Sequence, residues 1–231
     1  MNVGSSVLLD KSSNHYLTKV LRAKENQKLI LFNNSGNEYY GFIRKISNKH
    51  LDIFIEDKKF FEKQKLEIEL AFSICKNPCS DLIVQKLTEL GVNSIQPIIS
   101  KNSIFQKRKI DSEKKISHWK NIAISASEQS ERVYLPKIKD VLSFGEYVEN
   151  CPFEEKIILN TKTKQMIPKI LKSNQESCAV LVGPEGDFTD DEYILAEQSN
   201  FSSASLGDNI LRVETAAITA FSFIKLIYTN N

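Results

Sequence analysis

The sequence predicts an α/β protein in which a small N-terminal β-barrel or sheet precedes a larger domain built on a parallel sheet. Short apolar runs separated by Gly/Asn turns fill residues 1–57, a pattern typical of antiparallel strands. From residue 66 onward, strand and helix patterns alternate, which favours a parallel sheet covered by helices on both faces. A charged stretch without periodicity, residues 57–65, separates the two patterns. We therefore predict domains over 1–63 and 64–231.

The N-terminal domain is predicted to hold one helix and three strands. Two serines precede a helical pattern over residues 14–22, in which Leu17, Val20 and Leu21 share one face. The strands are predicted at residues 28–32, 38–46 and 51–56, with an Asn/Gly turn at 33–37.

The second domain shows helix signals at several defined points. Pro78 begins a predicted helix that Gly91 ends, and Ile116, Trp119 and Ala123 fall on one face of another. Parallel sheets bind ligands at the C-terminal ends of their strands, so a site is expected there. The predicted strands cover residues 66–74, 94–99, 156–159, 178–182 and 202–206, and the predicted helices cover 78–90, 113–129, 164–172, 189–198 and 213–228.

Composition excludes several classes of protein. Hydrophobic residues make up 41% and charged residues 26%, as in ordinary globular proteins. No apolar run approaches the about 18 residues of a membrane span. The N-terminus lacks the basic start and apolar core of a secretory signal, so we expect a cytoplasmic protein.

Charge is distributed unevenly along the chain. Residues 1–66 hold 12 Lys/Arg against 7 Asp/Glu, whereas the remainder holds 19 against 22. A basic N-terminal part suits an RNA-docking module attached to a catalytic one. A solvated, Lys-rich surface explains the charge equally well.

The four cysteines do not form the disulfide framework of a small secreted protein. Cys75 and Cys79 have metal-ligand spacing, but no second Cys or His pair follows at the spacing of a zinc finger. We interpret them, with Cys151 and Cys178, as buried or incidental thiols and predict no metal site.

The first of two loops with a site-like composition follows the predicted strand 178–182. Its glycines, in G-P-E-G-D-F at residues 183–188, let the backbone turn sharply and approach a ligand closely. Thr189 and Glu192 then match a capping box for the next helix. The same residues suit a plain strand-to-helix turn, so both interpretations stay open.

The second loop, L-G-D-N-I-L-R-V-E-T-A at residues 206–216, runs from a predicted strand to an Ala-rich helix. Its Ile210-Leu211 pair is suited to face an adenine ring. Arg212 and Glu214 are alternatively a simple ion pair across the helix start. The chain lacks the G-x-x-x-x-G-K-[ST], G-x-G-x-x-G and Ser-His-Asp patterns, which disfavours a nucleotide triphosphatase, a dinucleotide enzyme and a serine hydrolase.

Three further segments accompany these loops in a fixed order. They are His15 with Val20-Leu21-Arg22, Lys76 with K-L-T-E-L-G-V at residues 86–92, and E-Q-S-E-R at 128–132 with Pro136. Together with the two loops, they resemble the RsmE family of ribosomal RNA uridine-N3 methyltransferases, part of the SPOUT superfamily of trefoil-knotted methyltransferases. The resemblance spans nearly the whole chain.

This resemblance implies a PUA-like RNA-binding β-barrel over 1–63 and a SPOUT α/β domain with a deep trefoil knot over 64–231. It also implies a homodimer with its active site at the interface, S-adenosyl-L-methionine as methyl donor, and 16S ribosomal RNA or the small ribosomal subunit as substrate. The residues implied to hold the donor are Leu159, Gly183, Pro184, Glu185, Gly186, Leu206, Gly207, Ile210, Leu211, Arg212 and Thr215.

The chain departs from the family pattern at three places. The family commonly has a second glycine where Asp187 stands, so a less permissive backbone is expected there. Glu25-Asn26-Gln27 replaces the usual Gly-Asp turn. The family's Arg/Phe-containing first strand has no counterpart before Asn2, so that barrel strand is not predicted.

Methylation at N3 of uracil requires loss of a proton from a weakly acidic imide and close alignment of the methyl group. We hypothesise that Arg132 and Lys86 bind RNA phosphate or the uracil carbonyls, and that Glu128 or Glu89 accepts the proton. Glu128 and Arg132 lie four residues apart and equally suit a structural ion pair at a helix end. Glu185 and Arg212 are further candidates to lie near the methyl group.

RNA contacts are predicted in the N-terminal domain. His15 and Arg22, seven residues apart, are expected on one helix face with Lys19 nearby, and Lys76 joins them from the second domain. A solvent-facing surface explains the same residues. The basic run at 107–109 is more typical of a solvated loop, although it would add phosphate affinity.

Two rival functions remain. One is a SPOUT methyltransferase with another RNA target; the segments at 86–92 and 128–132 disfavour it because they belong to the uridine-N3 group. The other is a non-catalytic RNA-binding or ribosome-assembly factor that has lost donor binding. The intact loops at 183–186 and 206–216 disfavour the second.

Overall fold

The computed structural model describes residues 1–9, 11–47, 50–104, 111–171 and 175–229. The chain divides into two units, Met1–Lys63 and Gln64–Asn231.

The first unit is a four-stranded antiparallel sheet in the order β1-β4-β3-β2. Tyr39, Ile43, Leu51, Ile53 and Ile55 form its core, because alternate residues of a strand face the same side. The strands are β1 (Ser6–Leu9), β2 (Lys28–Phe32), β3 (Asn37–Ile46) and β4 (Leu51–Phe60). β2, β3 and β4 confirm the predicted strands, β4 continues beyond residue 56, and β1 is an additional strand paired with β4.

The N-terminal helix begins and ends earlier than predicted. An α-helical turn, α1 (Lys11–His15), continues as a π-helical turn over Tyr16–Val20. The helix ends before Arg22, whose φ of +53° is left-handed and incompatible with a continuing helix. Leu17 packs against the core, whereas Leu21 is 54% exposed and was wrongly predicted to share its face. The side chain of Val20 lies outside the described part.

The second unit is built on a parallel sheet in the order β11-β9-β10-β5-β6-β7, with β8 also paired to β6. Its strands are β5 (Glu67–Ser73), β6 (Ser94–Ile99), β7 (Lys137–Ile138), β8 (Leu142–Ser143), β9 (Glu155–Leu159), β10 (Ser177–Val182) and β11 (Ser202–Ala204). Its helices are α2 (Cys79–Leu90), α3 (Ser112–Gln129), α4 (Phe144–Asn150), α5 (Asp190–Gln198) and α6 (Val213–Thr229).

Helices cover both faces of this sheet, as predicted. On β10, Val180 faces a core that also holds residues of α2, α3 and α6. The neighbouring Leu181 faces the opposite core, which holds residues of α4 and α5. A parallel sheet buried on both sides explains why β10 consists almost entirely of apolar residues.

Several local predictions are confirmed and two fail. Gly91 ends α2 with a left-handed φ of +97°, and Trp119 on α3 is fully buried. The helix predicted at 164–172 is wrong: over the described residues 164–171, one 3-10 turn forms at Ile167–Lys169, with the helix-breaking Pro168 inside it. α4 was not predicted, although Ser143 and Glu146 form a capping box at its start.

The second unit also buries a carboxylate. Glu69 on β5 is fully buried and pairs with Lys139 at 2.5 Å. Ser94 donates to the same carboxylate at 2.6 Å, and the buried Tyr147 hydroxyl on α4 donates to it at 3.2 Å. The charge is thus paired and hydrogen-bonded, as burial requires.

The interpretation of Cys75 and Cys79 as thiols is wrong, since their sulfur atoms form a disulfide at the start of α2. Cys151 and Cys178 are buried free thiols. Among the described residues, no set of three or more His, Cys, Asp or Glu side chains is arranged to hold a metal ion. No helix in the described ranges has both the length and the apolar character needed to cross a membrane.

Candidate active site

A pocket of about 830 Å³ opens in the second unit at the C-terminal ends of three parallel strands. Residues directly after β9, β10 and β11 form most of its wall, and the N-terminal end of α2 with the preceding residues 76–78 completes it. The position follows from the sheet, because all parallel strands end at one edge.

The loop after β10, residues 183–188, is the more tightly packed wall; we call it the β10 loop. The backbone N–H of Asp187 donates to the carbonyl of Pro184 at 3.0 Å, which closes a turn. An added Cβ at Gly183 would lie 3.3 Å from the Asp187 carboxylate and the Phe188 ring, so the turn has little room for a side chain. The predicted capping box of Thr189 and Glu192 starts α5 directly after the loop.

Asp187 occupies a left-handed conformation, with φ +59°. The position therefore demands the backbone angle that glycine tolerates best, and aspartate supplies it because a short polar side chain can bond locally. Its Oδ1 accepts the Phe188 backbone N–H at 2.8 Å and the Tyr193 hydroxyl at 2.6 Å. The backbone at this position is thus supported by the residue's own side chain.

The loop after β11, residues 206–212, is open by contrast; we call it the β11 loop. Gly207 has φ +123°, and an added Cβ there would meet no atom within 4 Å. The Ser205 hydroxyl donates to the Gly207 carbonyl and accepts its N–H, at 3.1 and 3.2 Å. Ile210 is 87% exposed although it lines the pocket. α6 begins directly after Arg212, whose carbonyl accepts the N–H of Ala216.

The third wall of the pocket consists of residues 76–78 and the N-terminal end of α2, and the Cys75–Cys79 disulfide holds it. Lys76, Asn77 and Pro78 lie between the two cysteines and line the pocket. Cys79 Sγ lies 3.4 Å from Glu214 Oε2 on α6. Within the described part of the chain, the structure places no ion pair between Arg212 and Glu214.

Of the residues predicted to hold a donor, all except Thr215 line this pocket. Thr215 is exposed on the first turn of α6. The prediction omitted Asn160, Thr161, Ser205 and Asp187, which also line it. Asn160 and Thr161 follow directly after β9, so the strand-end rule would have identified them.

The predicted catalytic residues lie elsewhere, on or beside the C-terminal half of α2. Arg132 donates to the carbonyls of Thr88, at 2.9 Å, and Val92. Burial lowers the pKa of Arg132 to about 10, so it remains charged at neutral pH. Lys86 contacts both carboxylate oxygens of Glu89 at 2.9 Å. Neither these residues nor Glu128, exposed near the end of α3, line the pocket of the same chain.

The predicted RNA-binding residues divide between the units. His15, Lys19 and Arg22 are exposed in the first unit, and Lys76 is exposed at the pocket in the second. His15 and Arg22 do not share a regular helix face, because the α-helical spacing ends at residue 15 and Arg22 follows the helix. The basic run at 107–109 lies outside the described residues.

The pocket has the features of a site for a charged nucleoside derivative. Leu206, Ile210 and Leu211 provide an apolar wall suited to a flat base. Gly183 and Gly207 bring backbone close to the cavity without a side chain. Glu185 and Asp187 add carboxylates, and the volume falls in the usual range of about 300–1,000 Å³ for small-ligand sites.

Family models match both units of the chain. An RNA methyltransferase domain matches residues 62–225, and an RNA methyltransferase PUA domain matches residues 9–56.

Individual relatives match over nearly their whole length. Ribosomal RNA small subunit methyltransferase E of Buchnera aphidicola subsp. Acyrthosiphon pisum is 33% identical over 99% of this chain and 90% of its own length. The protein of that name from Mesomycoplasma hyopneumoniae is 34% identical over 92% of this chain and 90% of its own.

Solved structures agree with these matches. A Legionella pneumophila protein described as a methyltransferase, in complex with the cofactor SAM, has a TM-score of 0.92 and 30% identity, covering 98% of this chain and 93% of that one. Ribosomal RNA small subunit methyltransferase E from Neisseria gonorrhoeae, bound to S-adenosyl methionine, has a TM-score of 0.90 and 28% identity, covering 99% and 94%.

Proposed function

Because the chain belongs to the ribosomal RNA small subunit methyltransferase E family, we propose that it transfers a methyl group from S-adenosylmethionine to N3 of a uridine in 16S ribosomal RNA. The observation that carries the proposal is the pocket at the ends of β9, β10 and β11, which the β10 and β11 loops line together. Small-subunit ribosomal RNA as the substrate follows from the family. N3 of uracil as the methylated atom is our more specific proposal.

The chemical character of each wall suggests which part of S-adenosylmethionine it binds. Leu206, Ile210 and Leu211 enclose the adenine, and backbone groups at Gly183, Gly186 and Gly207 hold the polar remainder. Leu159, Pro184, Glu185 and Arg212 complete the donor site, with Thr215 as a more distant member. When bound, the donor supplies an electrophilic methyl group on a positively charged sulfur.

The protein's part in the reaction is to deprotonate, orient and exclude water. The proton of N3 passes to a carboxylate, Glu128 or Glu89, directly or through water. The N3–methyl bond forms as the sulfur–methyl bond breaks, which leaves S-adenosylhomocysteine and N3-methyluridine. Arg132 and Lys86 stabilise the negative charge that develops on the uracil carbonyls or neutralise RNA phosphate.

These catalytic residues need to reach a pocket that they do not line in their own chain. We propose that a second copy supplies them, in a homodimer whose active site lies at the interface. Ile124 on α3 and Phe223 and Leu226 on α6 support this, because they are large apolar side chains exposed to solvent. We further propose that the chain segments around β9, β10 and β11 are threaded into a deep trefoil knot.

The first unit is proposed to bind RNA. His15, Lys19 and Arg22 are exposed on and just after the N-terminal helix of this PUA-like unit. Lys76 is a separate proposed RNA contact, at the pocket of the second unit. Their contribution should be electrostatic and therefore weaken as salt is raised.

The proposal is tested by incubating the purified protein and labelled S-adenosylmethionine with small ribosomal subunits or naked 16S RNA. Label should appear at one uridine, which mass spectrometry should identify as N3-methyluridine. A methyl group on a ribose hydroxyl or on transfer RNA would show another target. Donor binding without transfer to either substrate, or no donor binding at all, would contradict the proposed reaction.

The catalytic assignment predicts a specific loss in Arg132→Ala. Methyl transfer should fall by about 1,000-fold, because removal of one pre-organised cation commonly has an effect of this size. The affinity for S-adenosylmethionine should change less than about twofold, since Arg132 does not line the pocket. Single-turnover kinetics and calorimetric titration measure the two quantities.

Lys225→Ala is the matched control. Lys225 donates to the Leu90 carbonyl at 2.6 Å and thus contacts the same helix end as Arg132. If Arg132 acts only as a cation at the end of α2, both variants should lose similar activity, and the catalytic assignment is wrong. Loss of donor binding in Arg132→Ala would contradict it as well.

A further inference from the structure

Three elements of the second unit meet at the carboxylate of Asp187. The Oδ1 atom accepts the Tyr193 hydroxyl of α5 at 2.6 Å, and the Oδ2 atom accepts the Thr161 hydroxyl at 3.3 Å. Thr161 belongs to the segment after β9, whereas Asp187 belongs to the β10 loop. One carboxylate therefore joins two separate walls of the pocket to a helix behind them. We call the side chains of Asp187, Tyr193 and Thr161 the latch.

The Tyr193 hydroxyl contacts both walls of the pocket. Its hydroxyl lies 3.2 Å from the carbonyl of Leu159, in addition to its shorter contact with Asp187. Burial, together with the hydrogen bond to Asp187, raises the pKa of Tyr193, so the hydroxyl keeps its proton and stays a donor at every working pH. The ring packs edge-on against Phe188 with centroids 5.8 Å apart, which fixes the direction of the hydroxyl.

The main chain around Asp187 is also held by Asn102. The Asn102 side-chain amide donates to the carbonyls of Gly186 and Asp187 at 3.1 and 3.0 Å. With Oδ1 also accepting the Phe188 N–H, this residue is fixed at its carbonyl, its side chain and the following peptide. These hydrogen bonds fix the conformation of Asp187 and of the loop around it.

We propose that Asp187 is a positioning residue for the methyl donor: through Tyr193 and Thr161, it holds the β9 and β10 walls of the pocket at their binding distance before the donor arrives. This inference rests on the proposed function, because it assumes that the pocket binds S-adenosylmethionine. Fixing two walls in advance removes an ordering cost that would otherwise reduce affinity.

Two variants open the latch in different ways. Asp187→Gly removes the carboxylate but tolerates the left-handed φ, so the backbone angle alone is not the cause of any loss. Tyr193→Phe removes only the hydroxyl and keeps the ring contact with Phe188. Each should raise the dissociation constants of S-adenosylmethionine and S-adenosylhomocysteine about five- to twentyfold, because one or two side chains of the walls must then be ordered when the ligand binds. Because both changes break one linkage, the double variant should lose little more than the weaker-binding single variant.

Asp187→Asn and Tyr147→Phe are the controls. Asparagine also tolerates the left-handed angle and can still accept from Tyr193, so it should restore most of the affinity. Tyr147→Phe also removes a tyrosine hydroxyl that donates to a carboxylate, that of Glu69, but Glu69, unlike Asp187, does not line the pocket. It should lower the melting temperature and leave both dissociation constants unchanged.

Calorimetric titration with both ligands, and the melting temperature of each variant, decide the question. Unchanged affinity in Asp187→Gly and Tyr193→Phe, with the wild-type protein binding normally, would overturn the inference and leave the proposed function intact. An effect on S-adenosylmethionine alone would also overturn it, because the carboxylate would then act on the positive sulfonium rather than on the walls. A wild-type protein that binds neither ligand would contradict the proposed function itself.

Discussion

The β10 and β11 loops line the same pocket but are built in opposite ways. In the β10 loop, Phe188 is 4% exposed and packs against Phe144 and Tyr193, with ring centroids 5.0 and 5.8 Å away. In the β11 loop, residues 207–210 are all exposed, and Ile210 retains 87% of its accessible surface. The β10 loop is anchored in the protein core by Phe188, whereas the β11 loop presents apolar surface to the cavity.

Because of this difference, we expect the β10 loop to contribute mainly to the stability of the fold and the β11 loop mainly to the affinity for the ligand. Apolar surface that is already buried stabilises the folded chain, whereas apolar surface that is still exposed contributes only when a ligand covers it. We infer that the β10 loop provides a preformed frame and the β11 loop provides contacts made on binding. Substitutions in the two loops should therefore be distinguishable by which quantity they change.

Among substitutions in these two loops, the largest effect on donor binding is expected from Gly207→Arg. Gly207 lines the pocket with a left-handed φ of +123°, so an arginine both strains the β11 loop and places a long cation in the cavity. The dissociation constant for S-adenosylmethionine should rise at least about 100-fold, measured by calorimetric titration.

Gly4→Arg is its control, since Gly4 also has a positive φ, +78°, with open space around it, but lies in the first unit. Equal losses in both variants would show that backbone strain, and not the pocket, explains the effect.

A smaller and opposed pair of effects is expected from Ile210→Ala and Phe188→Ala. The first should weaken donor binding about three- to tenfold, by loss of apolar contact, with no change in melting temperature because Ile210 is exposed. The second should lower the free energy of unfolding by about 3–5 kcal/mol, as for other buried aromatic residues. Thermal unfolding and titration of both variants measure the two quantities. If Ile210→Ala also destabilises the protein, the β11 loop is part of the frame and the comparison fails.

Sequence patterns predicted the elements whose signals are local. Apolar runs located β10, and Gly91 located the end of α2, because both depend on neighbouring residues alone. Pro168 was overlooked as a breaker of the helix predicted at 164–172. The capping box at Ser143 was present in the sequence, but only seven residues of helix follow it, too few for a clear periodic pattern.

The sequence predicts only those parts of the site that lie directly after a predicted strand. The rule that parallel strands end at one edge brings the loops of β10 and β11 together, and it would have included Thr161 after β9. No spacing rule relates Thr161 to Asp187 or Tyr193, since their contacts depend on tertiary packing. The same limit applies to Arg132, whose hydrogen bonds to the end of α2 join residues about 40 positions apart along the chain.

The order of strands in the second sheet also bears on how the chain is made. β5 pairs on one side with β6, which follows it closely, but its other neighbour is β10, where Glu67 is paired with Ser177. A ribosome that adds about 5–20 residues per second needs roughly 5–20 s to synthesise the intervening chain. During that interval one edge of a strand that is almost entirely buried in the folded protein has no native neighbour, and exposed strand edges promote aggregation. Any protein that shields nascent chains would therefore act on this molecule between the synthesis of β5 and β10.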